Sequence, residues 1–274
     1  MKWSLPLLLL TGFAAAGAGY QGHPESKKII LAIGAHAGDM ELTCGALLAK
    51  QGKAGDRTVI LHLTLGEGGN PRLSPEAYGA QKRREAEAAD RILGAEVIFA
   101  PFRDGELVND EKTRAYVIDI IRQVKPTHII THWKNSFHPD HRATYAITVD
   151  SVLPASLPGV KGAHPAHDGL RQVLYTENWE DMEGFQPFVY VDVADAFETW
   201  NKSVTQYEFV RGGISSYPYL DYYRALFRVR GAEGGFTHAE TFDIDPMGKS
   251  TRWAKSRFCV RCLDGNGSPR VVGL

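Results

Sequence analysis

The chain has 274 residues, of which 43% are hydrophobic and 23% are charged, and its formal net charge is −1. This length is enough to bury one hydrophobic core and does not require a second domain. Because the charge is balanced and no basic run occurs, we expect no nucleic-acid partner. Three cysteines are too few for a scaffold held together by disulfides.

The first 22 residues, "MKWSLPLLLLTGFAAAGAGYQG", have the composition of an export signal. One early lysine precedes a short apolar run, and small residues follow. This is the order of regions in a secretory signal peptide, which we predict at residues 1–20. The apolar run is too short for a stable membrane span, so we expect a secreted or periplasmic protein. A disordered tail or an uncleaved anchor is the alternative interpretation.

Strand and helix patterns alternate along the first half of the chain. Nearly continuous apolar runs predict strands buried on both faces, and the charged segments between them have helical spacing and two of them end at a glycine. The predicted strands are 28–35, 57–65, 96–102 and 127–133, and the predicted helices are 41–52, 75–94, 111–126 and 138–155. This alternation favours a three-layer α/β fold, with helices on both faces of a mainly parallel sheet.

The second half of the chain has a weaker pattern. Strands are predicted at 172–178 and 188–195 and a helix at 196–210, but the segment from about residue 211, rich in glycine and aromatic residues, supports no assignment. We therefore predict one domain, residues 26–274, with an irregular C-terminal portion.

The cysteines indicate no complete metal site. Cys44 lies on a predicted buried helix face and is interpreted as a core residue. Cys259 and Cys262 have the spacing of a redox motif or half a zinc site, but no second pair completes it. In an oxidising compartment a local disulfide between them is the favoured interpretation.

Three polar clusters follow predicted strands. They are "GAHAGD" (34–39), "LGEGGNPR" (65–72) and "KNSFHPDHR" (134–142). In open α/β sheets, binding sites form beyond the carboxyl ends of the strands, so we expect these clusters to meet although they are distant in sequence.

Two of these clusters carry residues that bind metals. His36 and Asp39 follow the first strand, and His138 and His141 flank a Pro-Asp pair at the start of a helix. Two imidazoles and one carboxylate are a suitable ligand set for a catalytic zinc with one position open for water, and other divalent first-row metals are also compatible. The alternative is that each histidine is an ordinary hydrogen-bonded residue at a strand end.

The two motifs resemble the signature of the PIG-L (LmbE-like) family of zinc-dependent de-N-acetylases. That family has Ala-His-Pro-Asp-Asp-x-Glu early in the chain and His-x-Asp-His later. The resemblance extends from about Lys28 to Arg142 and includes "LTLGEGG", "RREAEAADRILG" and "FRDGEL" in matching order. It implies a Rossmann-like fold and removal of acetyl groups from N-acetylglucosamine-type amino sugars.

The resemblance also implies roles for individual residues. The implied zinc ligands are His36, Asp39 and His141, and Glu41 is expected to steady the metal shell. The implied catalytic residue is His138, which protonates or stabilises the tetrahedral intermediate and is oriented by Asp140. Asp104 is expected to bind hydroxyl groups of the sugar. A basic residue of the 75–94 helix should contact substrate, and of Lys82, Arg83 and Arg84 we select Arg84.

One position departs from the family pattern. The first of the two aspartates, which serves the family as general base, is replaced here by Gly38, and Ala37 replaces the proline. A positioned general base contributes roughly 10²–10⁴-fold in rate. Zinc lowers the pKa of bound water to about 7 by itself, so catalysis without that base is feasible. Asp140, Glu41 and His138 are the other candidates for the base.

We therefore expect a secreted zinc-dependent amidohydrolase that acts on a small-molecule or glycan substrate. The alternative is a non-catalytic, metal-containing carbohydrate-binding protein that has lost its general base, and a third interpretation is hydrolysis of another ester or amide. Gly38→Asp would separate enzyme from binder if activity appeared only in the variant. Nothing in the sequence indicates an oligomeric state.

Overall fold

A computed structural model of the chain describes residues 27–181, 183–245, 260–263 and 269–272, the last two ranges by their backbone alone. The predicted signal peptide, Cys259 and the side chain of Cys262 lie outside the described residues. Within the described part of the chain, every helix is too short or too polar to cross a membrane.

The described strands form one nine-stranded sheet of order β3-β2-β1-β4-β5-β7-β6-β8-β9. The first five in this order pair in parallel, and the remaining four extend the sheet in antiparallel pairs. Their bounds are β1 Ile29–Gly34, β2 Arg57–His62, β3 Glu96–Phe99, β4 His128–Thr131, β5 Gln172–Thr176, β6 Val189–Asp192, β7 Ala239–Asp243, β8 Val260–Leu263 and β9 Pro269–Val272.

Helices cover both faces of this sheet. Their bounds are α1 Asp39–Lys53, α2 Pro75–Leu93, α3 Glu111–Val124, α4 Pro139–Ser156, α5 Phe197–Val204 and α6 Tyr219–Gly234. On one face, side chains of α1, α2, α5 and α6 pack on residues such as Ile30, and on the other, α3 and α4 pack on residues such as Leu31. Alternate residues of β1 thus enter different cores, as a strand buried on both faces requires. The predicted α/β Rossmann-like fold is confirmed.

The C-terminal portion is more regular than its sequence indicated. The segment from residue 211 contains the 16-residue helix α6 and strand β7. The pattern of α6 is weak because tyrosines, arginines and glycines occupy it, and its core contacts are made by Tyr223 and Phe227. The core assignment of Cys44 is confirmed, since its side chain is fully buried and its thiol donates to the Met40 carbonyl at 3.2 Å.

The strand order creates a crevice at a defined place. From β1 the chain proceeds through β2 and β3 on one side, and then returns to place β4 on the other side of β1. The loops that leave β1 and β4 therefore diverge, and such a switch point is where open α/β sheets bind ligands. The motif "GAHAGD" leaves β1, and "HPDHR" follows the loop that leaves β4.

Candidate active site

The turn after β1 is shaped so that His36 and Asp39 face each other. Asp39 is the first residue of α1, and its Oδ2 accepts a 2.7 Å hydrogen bond from the main-chain N–H of His36. Gly38 precedes α1 with a φ of +110°, in the left-handed region that glycine tolerates. Its main-chain N–H donates to Glu41 Oε2 at 3.2 Å, so the buried Glu41 carboxylate stabilises the turn.

The second half of the site comes from the start of α4. His138 caps this helix, because its Nδ1 accepts a 3.2 Å hydrogen bond from the main-chain N–H of Asp140. Pro139 occupies the first helical position, where its missing N–H has no cost. His141 follows in the first turn and is buried against the loop from β1.

Three ligand atoms converge at this crevice. Asp39 Oδ2 lies 3.2 Å from His36 Nδ1 and 3.3 Å from His141 Nε2. The two imidazole nitrogens are 3.2 Å apart. A tetrahedral ion with bonds of about 2.0–2.2 Å holds its ligand atoms about 3.3–3.6 Å apart, so the three atoms are spaced as a zinc ion requires. The structure brings the three predicted ligands together.

Carboxylates fix the orientation of both imidazoles. His36 Nε2 lies 3.1 Å from Asp104 Oδ1 and 3.3 Å from Asp140 Oδ2, and His141 Nδ1 lies 3.0 Å from Glu180 Oε2. Each contact places the ring proton on the nitrogen that faces the carboxylate and leaves the other nitrogen free to bind a metal.

The electrostatics of the triad favour a cation. Burial opposes ionisation of Asp39, but His141 and His36 hold the pKa of its carboxyl well below the ordinary value. Burial lowers the pKa of His141, but Asp39 and Glu180 outweigh it and raise that pKa to about 9. The imidazoles thus lie in a strongly negative environment, which attracts positive charge.

The triad lies in an open pocket of about 210 Å³. His138 lines this pocket, with its ring centroid 4.7 Å from that of His36. Since His138 Nδ1 accepts from the main chain, Nε2 carries the proton and is available to a bound molecule. Burial and the nearby His36 and His141 lower the pKa of His138, so the neutral ring persists at neutral pH.

This geometry agrees with the comparison against known families. Residues 31–152 match the family model described as PIG-L: GlcNAc-PI de-N-acetylase. This part of the chain, somewhat less than half of it, is similar to the PIG-L family. The matched range includes the three predicted ligands, His138 and Asp104.

Among curated relatives, 4-oxalmesaconate hydratase of Pseudomonas putida is 21% identical over 76% of this chain and 81% of its own length. A 1D-myo-inositol 2-acetamido-2-deoxy-alpha-D-glucopyranoside deacetylase of Kineococcus radiotolerans is 25% identical over 61% of this chain and 62% of its own length. The solved structure of N,N'-diacetylchitobiose deacetylase from Pyrococcus horikoshii shares the fold. Its TM-score is 0.70 at 22% identity, with 81% of this chain and 85% of that chain covered.

Asp140 and Asp104 both contact the ring of His36. The Asp140 carboxylate accepts from Gly105 N–H at 2.7 Å and contacts His36, so it orients a metal ligand. Its main-chain N–H donates to His138 Nδ1 at 3.2 Å, so Asp140 contacts this ring through the backbone and not through its carboxylate. Asp104 contacts His36 through Oδ1 and accepts from Gly68 N–H through Oδ2 at 2.9 Å. It thus contacts a predicted metal ligand from the pocket wall.

The basic residue of α2 at the site is Lys82. Its side chain is 4% exposed and lines the pocket, whereas Arg83 and Arg84 lie on the exposed face of the helix. The selection of Arg84 as a substrate contact is therefore corrected to Lys82. The physical reason is helix phase, since two residues along an α-helix turn a side chain by about 200°.

Sequence reasoning missed two residues of the site. His132 follows β4, stacks on His141 with ring centroids 3.9 Å apart, and accepts from Ala35 N–H at 3.0 Å. Burial lowers its pKa to about 4, so the ring is neutral. The position of His132 at the end of a predicted strand is the sequence feature that could have identified it. Glu180 comes from the weakly patterned second half, where no signal marked it.

Glu41 contacts the turn that carries two of the predicted ligands, and not the ligand atoms themselves. Its carboxylate accepts from Gly38 N–H and from the Tyr207 hydroxyl, and lies 3.6 Å from His62 Nε2. Asp90 Oδ2 is also 3.6 Å from that nitrogen, and burial together with Glu41 raises the pKa of Asp90 to about 7. Glu41 therefore supports the Gly38 turn from the protein interior, since it is fully buried and does not line the pocket.

The space beside Gly38 is already occupied. A Cβ at this position would lie 2.8 Å from Phe209 Cζ and 3.6 Å from Lys82 Nζ. We expect Gly38→Asp to lower the free energy of unfolding by about 2–4 kcal/mol, because it combines a left-handed backbone with a steric clash. Urea denaturation measures this change.

Gly212 provides the matched control, since its φ is +81° and nothing lies within 4 Å of its Cβ position. Gly212→Asp should cost only the backbone strain, about 1–2 kcal/mol. Equal losses in the two variants would contradict a clash at Gly38. Restoring the family aspartate alone is consequently not a clean test of activity.

Proposed function

We propose that this protein is an exported, zinc-dependent hydrolase that removes the N-acetyl group from an amino sugar or a related conjugate. The observation that carries the proposal is the convergence of His36, Asp39 and His141 within 3.3 Å of one another, beside His138 in an open pocket. The match to a de-N-acetylase family model supports the same activity. Export rests on the signal-like composition of residues 1–20.

His36, Asp39 and His141 would hold the ion, with another divalent first-row metal as an alternative to zinc. When bound, such an ion supplies Lewis acidity toward a carbonyl oxygen and lowers the pKa of water. His138 would donate its Nε2–H to the acetyl carbonyl oxygen as negative charge develops there, and Asp104, Asp140 and Glu180 keep the two ligand rings in place.

The pocket wall supports a sugar-sized substrate. Trp179 lines the pocket and stacks on Tyr217 with ring centroids 4.0 Å apart, and Tyr219 is adjacent. Aromatic side chains provide apolar contact for the less polar face of a sugar ring. The side chains of Trp179, Tyr217 and Tyr219 also pack on one another. A small molecule or the end of a glycan fits a pocket of about 210 Å³.

Hydration of a carbon–carbon double bond is a second candidate. The hydratase relative spans 76% of this chain, more than the deacetylase relative, and this chain lacks the aspartate at position 38. A metal site that activates water would serve either reaction. The non-catalytic binding protein remains the alternative in which neither product forms.

The test is release of acetate from a panel of N-acetylated amino sugars by the purified protein, beside loss of absorbance from an unsaturated dicarboxylate. We expect acetate release that is abolished by a chelator and restored by zinc. Acetate release that survives dialysis against chelator would overturn metal dependence. Loss of the double bond without acetate release would establish the hydratase instead.

A further inference from the structure

Lys82 occupies the side of the site on which the family aspartate is missing. Its Nζ lies 3.6 Å from the position that a Cβ of residue 38 would take, and it donates a hydrogen bond to the carbonyl of Ala37. Phe209 fills the rest of that space. Lys82 lines the same pocket as His36, Asp39 and His141, so the side chain on this side of the site is an amine.

The amine is buried without an anionic partner. Lys82 is 4% exposed, and its Nζ lies 4.7 Å from the ring centroid of Tyr207 and 4.1 Å from that of Phe209. Among the residues that the structure describes, no carboxylate lies within ion-pair distance of Nζ. Burying an unpaired ammonium is costly, so this environment favours the neutral amine.

Burial and the charges around Lys82 have opposite effects on its pKa. Burial is the largest influence and lowers the pKa of Lys82 to about 8, against the attraction of nearby carboxylates. The groups that face it are Asp39 and Glu41 of α1, His62 of β2, Asp104 of the loop after β3, Glu85 of its own helix, and Tyr207. A base with this pKa is partly neutral at physiological pH, as proton transfer requires.

The other candidates for the base are less suitable. The Asp140 carboxylate already accepts from Gly105 N–H and contacts His36. Glu41 is fully buried and is occupied by Gly38 N–H and Tyr207. His138 accepts from the main chain through Nδ1, which leaves a proton donor facing the pocket. Lys82 alone among these groups combines access to the pocket with a free lone pair in its neutral form.

We propose that Lys82 replaces the missing aspartate as the proton-transfer residue of this site, a role that rests on the proposed deacetylation. Neutral Nζ takes one proton from the attacking water while the water oxygen bonds to the acetyl carbon. The resulting ammonium then gives this proton to the amide nitrogen as the carbon–nitrogen bond breaks. Acetic acid and the free amine leave, and Lys82 is neutral again.

Lys82→Arg and Lys82→Met test the proposal. Arginine keeps the positive charge but does not release its proton, so we expect kcat to fall about 10²–10⁴-fold in both variants. In the wild type, kcat/KM should rise with pH and level off above about 8, because the active form is the neutral amine. Lys53→Arg, an exposed lysine of α1, is the control and should leave kcat unchanged.

Lys82→Arg with unchanged kcat and a changed KM would overturn the proposal and make Lys82 a substrate-binding cation. Rescue offers a sharper distinction, since Lys82→Ala opens a space beside Tyr207 and Phe209 that small primary amines can enter. We expect methylamine to restore kcat at least ten-fold in Lys82→Ala and not in Lys53→Ala. Absence of rescue in a variant that retains its metal would count against proton transfer by Lys82.

A readout that needs no turnover separates this proposal from the proposed function. In protein labelled with ¹³C at the lysine ε-carbon, the one resonance that is absent from Lys82→Arg should titrate near pH 8. A Lys82 resonance that titrates near pH 10 would refute the proposal even if acetate is released. Titration near 8 without acetate release would instead refute deacetylation alone.

Discussion

Asp39→Asn is expected to abolish acetate release and to weaken metal binding by more than about 100-fold. Asp39 Oδ2 is within 3.3 Å of both imidazole ligand atoms, and its negative charge is central to the potential that attracts the ion. Asparagine preserves the size of the side chain and an oxygen that can accept from His36 N–H. The decrease in metal affinity and activity is therefore due to loss of the carboxylate charge. Metal content by mass spectrometry and the rate of acetate release measure this decrease.

Glu180→Gln is the matched control for this charge. Glu180 contacts His141 Nδ1 at 3.0 Å and does not reach the position of the ion itself. Removing the partner of a ligating histidine typically costs about 10–100-fold in metal affinity or activity, so this variant should fall between the wild type and Asp39→Asn. Full metal content in Asp39→Asn would show that the three converging side chains are not the ligand set.

The part of the fold that the sequence predicted is the part with strong periodicity. β1, β2 and β4 are short apolar runs, and the helices between them carry clear stop signals such as Gly94 at the end of α2. Parallel strands align their carboxyl ends, so the meeting of His36 with His141 followed from the alternation of strand and helix. The motif order then supplied the expectation that Asp39 joins them.

The remainder depended on contacts between segments that no local pattern specifies. Glu180 reaches His141 from the loop after β5, and helix α6 is recognisable only once Tyr223 and Phe227 are seen in the core. Choosing between Lys82 and Arg84 required the phase of α2 relative to the crevice. A prediction error of two positions turns a helix side chain from the core to the solvent.

Gly38 illustrates the same limit. Its sequence context showed that a carboxylate was missing, but only packing shows that Phe209 and Lys82 fill the space. Phe209 follows α5, more than 150 residues later in the chain, in a stretch predicted as a continuation of that helix. The absence of an aspartate at position 38 and the presence of the buried Lys82 amine beside this position therefore belong together.

His138→Ala and His138→Asn are expected to lower kcat by about 10²–10³-fold, the usual effect of removing one donor to a developing oxyanion. The Nε2–H of His138 is held toward the pocket because Nδ1 accepts from Asp140 N–H. Initial rates of acetate release at saturating substrate measure the change. Metal content should stay at the wild-type level, since the proposed ligands are His36, Asp39 and His141.

The two variants separate catalysis from helix capping. Asparagine is a good N-cap residue, whereas alanine leaves the start of α4 uncapped and should cost about 0.5–2 kcal/mol of stability. If kcat falls in both variants but only His138→Ala unfolds at a lower urea concentration, the decrease in kcat is due to loss of the imidazole. If His138→Asn retains full activity, the Nε2–H has no part in the reaction and His138 serves α4 alone. Because the lowered pKa keeps this ring neutral, its contribution should stay constant from pH 7 upward, leaving Lys82 to set the alkaline rise.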